Sequence, residues 1–412
     1  MKSKGKWAIL GFLCAIFVTY TVDRALLGIL AKPIQDELGL TNGQFGILSA
    51  AVFWTYAICV PFSGLAGDRF DRAKIIGFAA VAWSAMTLLA GFASSFWSLF
   101  LLVSIAICAP QTLYGPSANA LVAEYHRETR TIALSCHQAA YYTGWFISGA
   151  VVAGILSLFG VWRAAFFVCG SVGIVIGMVF LYYMGWCGER GSSVLIERSV
   201  RPMFCQSLRA FFGCRTALLV SVCYVTQVFV GYGYSVWGPK FVAQKFAIST
   251  ARAGTGVMFW HYTAAFAAIV LAGFATDRFV QHWPRFRLFL SAAAVVGTAP
   301  ALGLFAMSGT LSVVWVSAAF LGAMLGVIGA NQFTMIFDVV PASCRSGALG
   351  FLNVTAGLLG SLSPVLLGAL SDRDGLRGFE TGFAAMAGVE ALALAALVAA
   401  AAFTFRKDII RE

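Results

Sequence analysis

Charge is what this 412-residue sequence has least of: Asp, Glu, Lys and Arg make up 11% of it, while 60% is hydrophobic. Soluble domains carry about 25% charged residues. A chain this poor in charge cannot cover itself in water, so its solvent is a bilayer. Period-2 alternation is lacking too, and the apolar runs are about 20 residues long, which excludes a transmembrane barrel and leaves helices. The ten cysteines stand singly, with no CxxC pair. That argues against a disulfide framework or a zinc site and reads them as small apolar fillers. No GxxxxGK[ST] loop and no nucleophile–base constellation occurs. No enzymatic role, cofactor or metal is therefore expected, and any work must be drawn from gradients and not from ATP. The opening MKSKGKW and the apolar residues after it lack a small-residue cleavage site, so they are expected to stay as a first helix.

What is present is hydrophobicity in regular blocks. Mean hydropathy is +0.85, and runs bounded by charge or turn residues predict twelve spans, at 7–31, 45–66, 75–94, 97–121, 131–158, 163–186, 216–243, 252–275, 287–307, 311–336, 347–370 and 379–404. The longest polar interval divides the chain into a six-helix bundle over 1–186, a cytoplasmic central loop over 187–214 and a second six-helix bundle over 215–412. The expected fold class is an all-α membrane protein with 12 transmembrane helices in two pseudo-symmetric bundles. With both termini inside, the inner segments carry 20 Lys and Arg against seven in the outer segments. This bias sets cytoplasmic termini and accounts for the net charge of +11 as a topology signal, not as a nucleic-acid footprint.

Gly64 to Asp68-Arg69 and Gly273 to Asp277-Arg278 share the spacing Gly-x-x-x-Asp-Arg, 209 residues apart and after corresponding spans. An internal repeat of six spans, with a site between the halves near the midplane, is a transporter design. Within the first span, VTYTVDRALLGIL sets Asp23 and Arg24 side by side, where each costs about 2.5 kcal/mol or more at a helix centre. Neighbouring helical residues diverge by about 100°, so Asp23 is not simply the partner of Arg24. Either the two are structural charges tying this helix to its neighbours, or they work: a guanidinium offers five donors in a planar fork suited to an anion, and a buried carboxylate can exchange a proton. The second reading is preferred, because intramembrane charges are functional by default.

On these features the chain resembles the major facilitator superfamily over essentially its whole length. The loop motif of that family, roughly G-x-x-x-D-R-x-G-R-[RK], is matched by Gly64, Asp68, Arg69, Arg72 and Lys74, with Asp71 replacing its glycine. The resemblance implies conformational control for these residues and for Asp277 and Arg278. Pro341, Arg345, Gly347 and Gly350 are similar to the second-half pattern. Tyr20, Asp23 and Arg24 fit a Tyr-x-x-Asp-Arg element shared by the anion:cation symporters and the spinster-like lipid transporters. Both branches carry a Glu in span 4 where this chain has Gln111. Span 4 has no Arg and span 5 no Pro, which turns away from the drug antiporters.

The resemblance implies a cavity lined by spans 1, 4, 7 and 10. Expected substrate contacts are Arg24, Tyr20, Gln111, Tyr114, His137, Tyr141, Gln227, Tyr234, Trp237 and Asn331, with Asp23 as the proton-coupling group. Gly231 and Gly233 are expected to permit an interruption of span 7, and Pro239 a bend. Trp237 fits an interfacial belt as well as a cavity wall. His261, Gln332 and Asn353 read as interhelical hydrogen-bonders, Glu390 as a neutral buried acid, and Asp338 as a loop charge. The expected function is secondary active transport of a small organic anion, a carboxylate or sugar acid, by alternating access in symport with protons. A spinster-like lysolipid or sphingolipid carrier, or a multidrug exporter, is the alternative. Expected partners are the anionic substrate, protons and membrane lipid, with no nucleic acid and the chain as a monomer in a bacterial-type inner (plasma) membrane.

Overall fold

The computed structural model describes residues 3–126, 128–186, 200–341 and 344–410. Among them there are helices, turns and no strands, and twelve helices are long and apolar enough to cross a membrane, as the hydropathy blocks predict. In chain order, α1 (Ser3–Ile29) is followed by a short α2 (Ala31–Leu38), α3 (Asn42–Arg69) and α4 (Arg72–Ala90). The fourth span is compound: α5 (Phe96–Leu99), a π-helical stretch Phe100–Ile107, α6 (Cys108–Thr112) and α7 (Tyr114–Tyr125). Then come α8 (Arg130–Phe159), α9 (Trp162–Trp186) and α10 (Val200–Gly213), so the polar interval over 187–214 contains a helix. The remaining helices are α11 (Arg215–Lys245), α12 (Thr250–Val280), α13 (Phe286–Met307), α14 (Leu311–Phe337), α15 (Arg345–Gly360), α16 (Leu362–Asp374), α17 (Leu376–Ala399) and α18 (Phe405–Asp408).

One local expectation is corrected. The α-helix α11 runs unbroken through Gly231, Gly233 and Pro239. The close glycine, Gly233, makes room for a neighbour: a Cβ there would fall 2.5 Å from Met386 Cε and 3.2 Å from Ser363 Oγ. The α-helical pattern breaks instead in span 4, where π geometry precedes Pro110, and in span 11, between α15 and α16 at Ser361.

Helix ends are set locally. Thr41 and Gln44 form a reciprocal capping box at the start of α3, and Gly160 closes α8 with φ 74°, a conformation that costs a glycine little. Asp71, standing where the loop motif has glycine, caps α4: its Oδ1 accepts from Ala73 N at 2.9 Å and Lys74 N at 3.2 Å. Arg72 then pairs with Glu124 at 3.4 Å, tying α4 to α7. The side chains of Gly64, Asp68 and Arg69 lie outside the described ones. Asp277 and Arg278 are exposed at the end of α12.

Contacts group residues 1–197 with 248–258 into one compact unit, and 198–247 with 259–412 into a second. In the first, α1 lies against α8 and α9, and α4 against α9 and the segments of span 4. In the second, α13 packs on α14 and α17, and α11 on α15, α16 and α17. Lipid supplies no hydrophobic drive between helices, so close backbone approach has to stabilise these pairs. Gly322 and Gly326, one turn apart on α14, provide such an approach to α12: a Cβ on Gly322 would lie 2.8 Å from the His261 carbonyl carbon, and one on Gly326 2.5 Å from Ala265 O. Gly322→Val is expected to destabilise by about 3 kcal/mol through overpacking, read as a fall in the melting temperature of the detergent-purified protein. An unchanged melting temperature contradicts this.

An ion pair between α2 and the first turn of α9 gives a pH-dependent staple. Glu37 Oε1 accepts from Arg163 Nη2 at 2.7 Å, and its Oε2 accepts from Trp162 Nε1 at 2.6 Å. Arg163 Nη1 also donates to the carbonyls of Gly91 and Ala93. The Arg163 and Trp162 donors hold the Glu37 carboxyl below its ordinary value. A carboxylate so lowered adds stability above its unfolded value and loses it as pH falls through the folded one. The melting-temperature deficit of Glu37→Gln is therefore expected to be full at neutral pH, to shrink once pH falls below the ordinary glutamate value of about 4.3, and to vanish below the lowered one. A deficit that persists in acid removes the ion pair as its cause.

Candidate functional site

Asp23 and Arg24 leave α1 toward different neighbours, as their one-residue offset dictates. Asp23 Oδ2 accepts from Thr87 Oγ1 on α4 at 3.4 Å, with the Trp83 indole beside the carboxylate. Arg24 reaches across to α6, where its Nη2 donates to Cys108 Sγ at 3.4 Å, and the Cys108 thiol donates to Val52 O on α3 at 2.9 Å. The Arg24 guanidinium carbon lies 4.5 Å from the ring centre of Tyr56, 5.3 Å from Tyr20 and 5.9 Å from Phe53. Ring faces attract a cation without consuming its donors, so these three rings help to hold the fork in place.

Asp23, Arg24, Thr87 and Gln111 share one small cavity of about 20 Å³, closed by apolar side chains including Leu27 and Phe166. Asp23 Oδ1 and Gln111 Nε2 are both buried here, and neither has a hydrogen-bond partner among the described residues. A space of this size holds about one water molecule. Carboxylate, guanidinium, hydroxyl and amide thus converge from three helices, α1, α4 and α6, on a volume suited to a proton carrier and too small for an organic anion.

Next to the cavity lies an aromatic cluster centred on Phe17. Tyr20, Tyr114, His137 and Tyr141 stand 5.7, 5.2, 4.6 and 5.2 Å from it, ring centre to ring centre. Tyr114 is wholly buried; its hydroxyl donates to Leu13 O at 2.6 Å and also meets His137 Nε2 at 2.8 Å. One hydroxyl proton serves one acceptor, and the Leu13 carbonyl can only accept, so His137 Nε2 carries the hydrogen and donates to Tyr114. Tyr20, Tyr114 and His137 thus back the Arg24 site, while Tyr141 is half-buried at its edge.

Gln227, Tyr234, Trp237 and Asn331 belong to the second unit. Gln227 Nε2 donates to Leu325 O at 2.8 Å. Tyr234, fully buried, stacks on His261 at 4.6 Å. Trp237 is fully buried too, its Nε1 donating to Pro364 O at 2.8 Å, which removes it from any interfacial belt. Asn331 Oδ1 accepts from Thr276 Oγ1 at 3.0 Å, an interhelical bond between α14 and α12. Asn353 accepts from Tyr224 at 2.8 Å. Glu390 is buried at 2% exposure, and Asp338 is an ion-pair partner, held by Arg287 Nη1 at 2.6 and 2.7 Å.

Four residues at the Asp-Arg site escaped sequence reasoning: Tyr56, Trp83, Thr87 and Cys108. Cys108 carried a usable signal, since it precedes Gln111 by three residues and so shares its helical face. The others are unremarkable members of apolar runs, and only the packing selects them.

The chain is similar to known proteins in sequence and in fold. A solved bacterial homolog of the human lysosomal transporter Spinster, described as inward-facing and unoccupied, superposes with a TM-score of 0.87 over 100% of both chains at 19% identity, a likeness of fold. The probable sulfoacetate transporter SauU of Cupriavidus necator is 25% identical over 390 residues, covering 90% of this chain and 89% of that one. The hexuronate transporter of Bacillus subtilis is 22% identical over 386 residues, covering 91% and 90%. The sequence profile described as Major Facilitator Superfamily matches residues 12–364, and with that match added to twelve spans in two units, the chain belongs to this superfamily.

Proposed function

We propose that this chain carries a small organic anion, of the carboxylate or sugar-acid class, across the membrane in symport with protons. As a superfamily member it is an integral membrane transporter and not an enzyme. The observation that carries the reading is the convergence of Asp23, Arg24 and Gln111 on one small cavity. Arg24 holds the anion on its aromatic side, beside Tyr20 and Tyr56, where its fork can pair with an acid group. Asp23 exchanges the proton through the water-sized space at its back. A Gln at position 111 cannot titrate, so Asp23 is the carboxylate available to protons at this site. Each loaded state favours one access conformation, and the shift between them delivers the cargo. Sulfoacetate and hexuronate, the cargoes named for two relatives, are both organic anions. The lysine and arginine bias supports cytoplasmic termini, which suits a bacterial-type inner membrane.

One observation favours a lipid cargo instead: an open cavity of about 940 Å³ between α3 and α4, walled by Phe62, Phe70 and Phe78 among others. It shares no lining residue with the Asp23–Arg24 cavity, so the anion reading is preferred. A thermal-shift screen of the purified protein at two pH values, with sulfoacetate, D-glucuronate, dicarboxylates and a lysophospholipid, tests the two. Stabilisation by a short acid, lost in Arg24→Ala, supports the anion carrier. Stabilisation by lysophospholipid alone overturns it.

A further inference from the structure

Between α7 and the first turns of α8, the first unit opens into a third cavity, of about 620 Å³. Its polar wall is Asn119, Arg130, Ser135 and Gln138, and the rest is two alanines and Leu134. Arg130, Leu134 and Gln138 recur every four residues and so share one face of α8. Arg130 is exposed and takes part in none of the ion pairs found among the described residues. Its charge was accounted for above as part of the topology bias, but that bias requires only a cation near a span end. It does not require two amides and a hydroxyl around the same space.

We propose that this cavity is a second anion site, a docking position for a short hydroxylated carboxylate. It rests on the organic-anion reading above and deepens it. The Arg130 guanidinium takes the acid group in its fork, and Asn119, Ser135 and Gln138 offer donors and acceptors to the hydroxyls. Four of the seven lining residues are polar, and the apolar ones are two alanines and Leu134, so the lining offers a sugar acid more polar partners than a lysolipid chain can use. The site also leads somewhere. Tyr142 lies one turn beyond Gln138 on α8 and meets Tyr141 at 5.3 Å, ring centre to ring centre; Tyr141 meets Phe17, Phe17 meets Tyr20, and Tyr20 lies under Arg24. A series of side-chain contacts therefore connects the two guanidiniums.

The test is uptake of labelled D-glucuronate into proteoliposomes by wild type, Arg130→Gln, Gln138→Ala, Arg130→Lys and Arg24→Ala, each first checked for a wild-type melting profile. Arg130→Gln is expected to raise KM about fivefold or more, with kcat within about twofold, because a charge-assisted contact is lost before the chemistry of coupling. Gln138→Ala should raise KM about two- to threefold, and Arg130→Lys, which keeps the charge, should recover most of the loss. A topological role would reduce the maximal rate and leave KM alone. An unchanged KM in a folded Arg130→Gln protein, or a fall in maximal rate alone, overturns the docking site. If wild type takes up no organic acid, or Arg24→Ala transports normally, the parent reading fails and not this site alone.

Discussion

Replacing Arg24 with alanine is expected to abolish organic-anion transport, lowering kcat/KM by about thirtyfold to several-thousandfold. Truncating one partner of a buried, hydrogen-bonded charge pair costs about 2–5 kcal/mol, and a cargo carboxylate that loses the guanidinium in a low-dielectric site has no cation to replace it. Arg24→Lys is expected to recover only a small part. A lysine is a point charge without the planar fork, and it stacks less well on Tyr56 and Tyr20 than the guanidinium that lies 4.5 and 5.3 Å from their centres. The measurement is initial uptake of labelled acid into proteoliposomes, with melting temperature as the check on folding, since Arg24→Ala also removes the contact to Cys108. Uptake within about threefold of wild type in a folded Arg24→Ala protein would take Arg24 out of the cargo site.

Replacing Asp23 with asparagine is expected to separate carriage from coupling. A singly charged anion moving with one proton is electroneutral, so the pH gradient drives it, and each pH unit sustains about tenfold accumulation. Asparagine matches the shape of aspartic acid and can still meet Thr87, but it takes up no proton. Asp23→Asn should therefore fail to concentrate the acid under a pH gradient, while exchange of labelled for unlabelled acid continues within about threefold of wild type. Gln111→Glu supplies a control, because it sets a second titratable group against the same cavity and should shift the pH dependence of exchange. If gradient-driven accumulation survives in Asp23→Asn, protons enter elsewhere, and Glu390, buried in α17, becomes the next group to replace.

The span count was legible because hydropathy is additive along the chain. A run of apolar residues bounded by charge declares itself whatever it packs against, so twelve helices were visible before any contact was known. The same holds for Asp23 and Arg24, since an ionisable residue in an apolar run is conspicuous without its partners. Asp71 was visible as a departure from the loop motif, and the structure gives the departure a use as the cap of α4.

What the sequence could not decide were pairings across long intervals and the side of a helix each residue takes. Arg24 meets Cys108 over 84 residues, and Trp237 reaches Pro364 over 127. No local pattern encodes either. Gly231 and Gly233 looked like a break in span 7, yet α11 continues through them, because room for Met386 and a hinge demand the same residue type. Arg130 looked like a topology charge, and the lining of its cavity came only from α7 and α8 lying together. The sequence by itself determined how many helices cross and which charges enter the membrane, since both follow from transfer energies summed residue by residue. Only the tertiary structure decided what those charges face, because that depends on the rotation of each helix about its axis, which packing fixes and hydropathy does not.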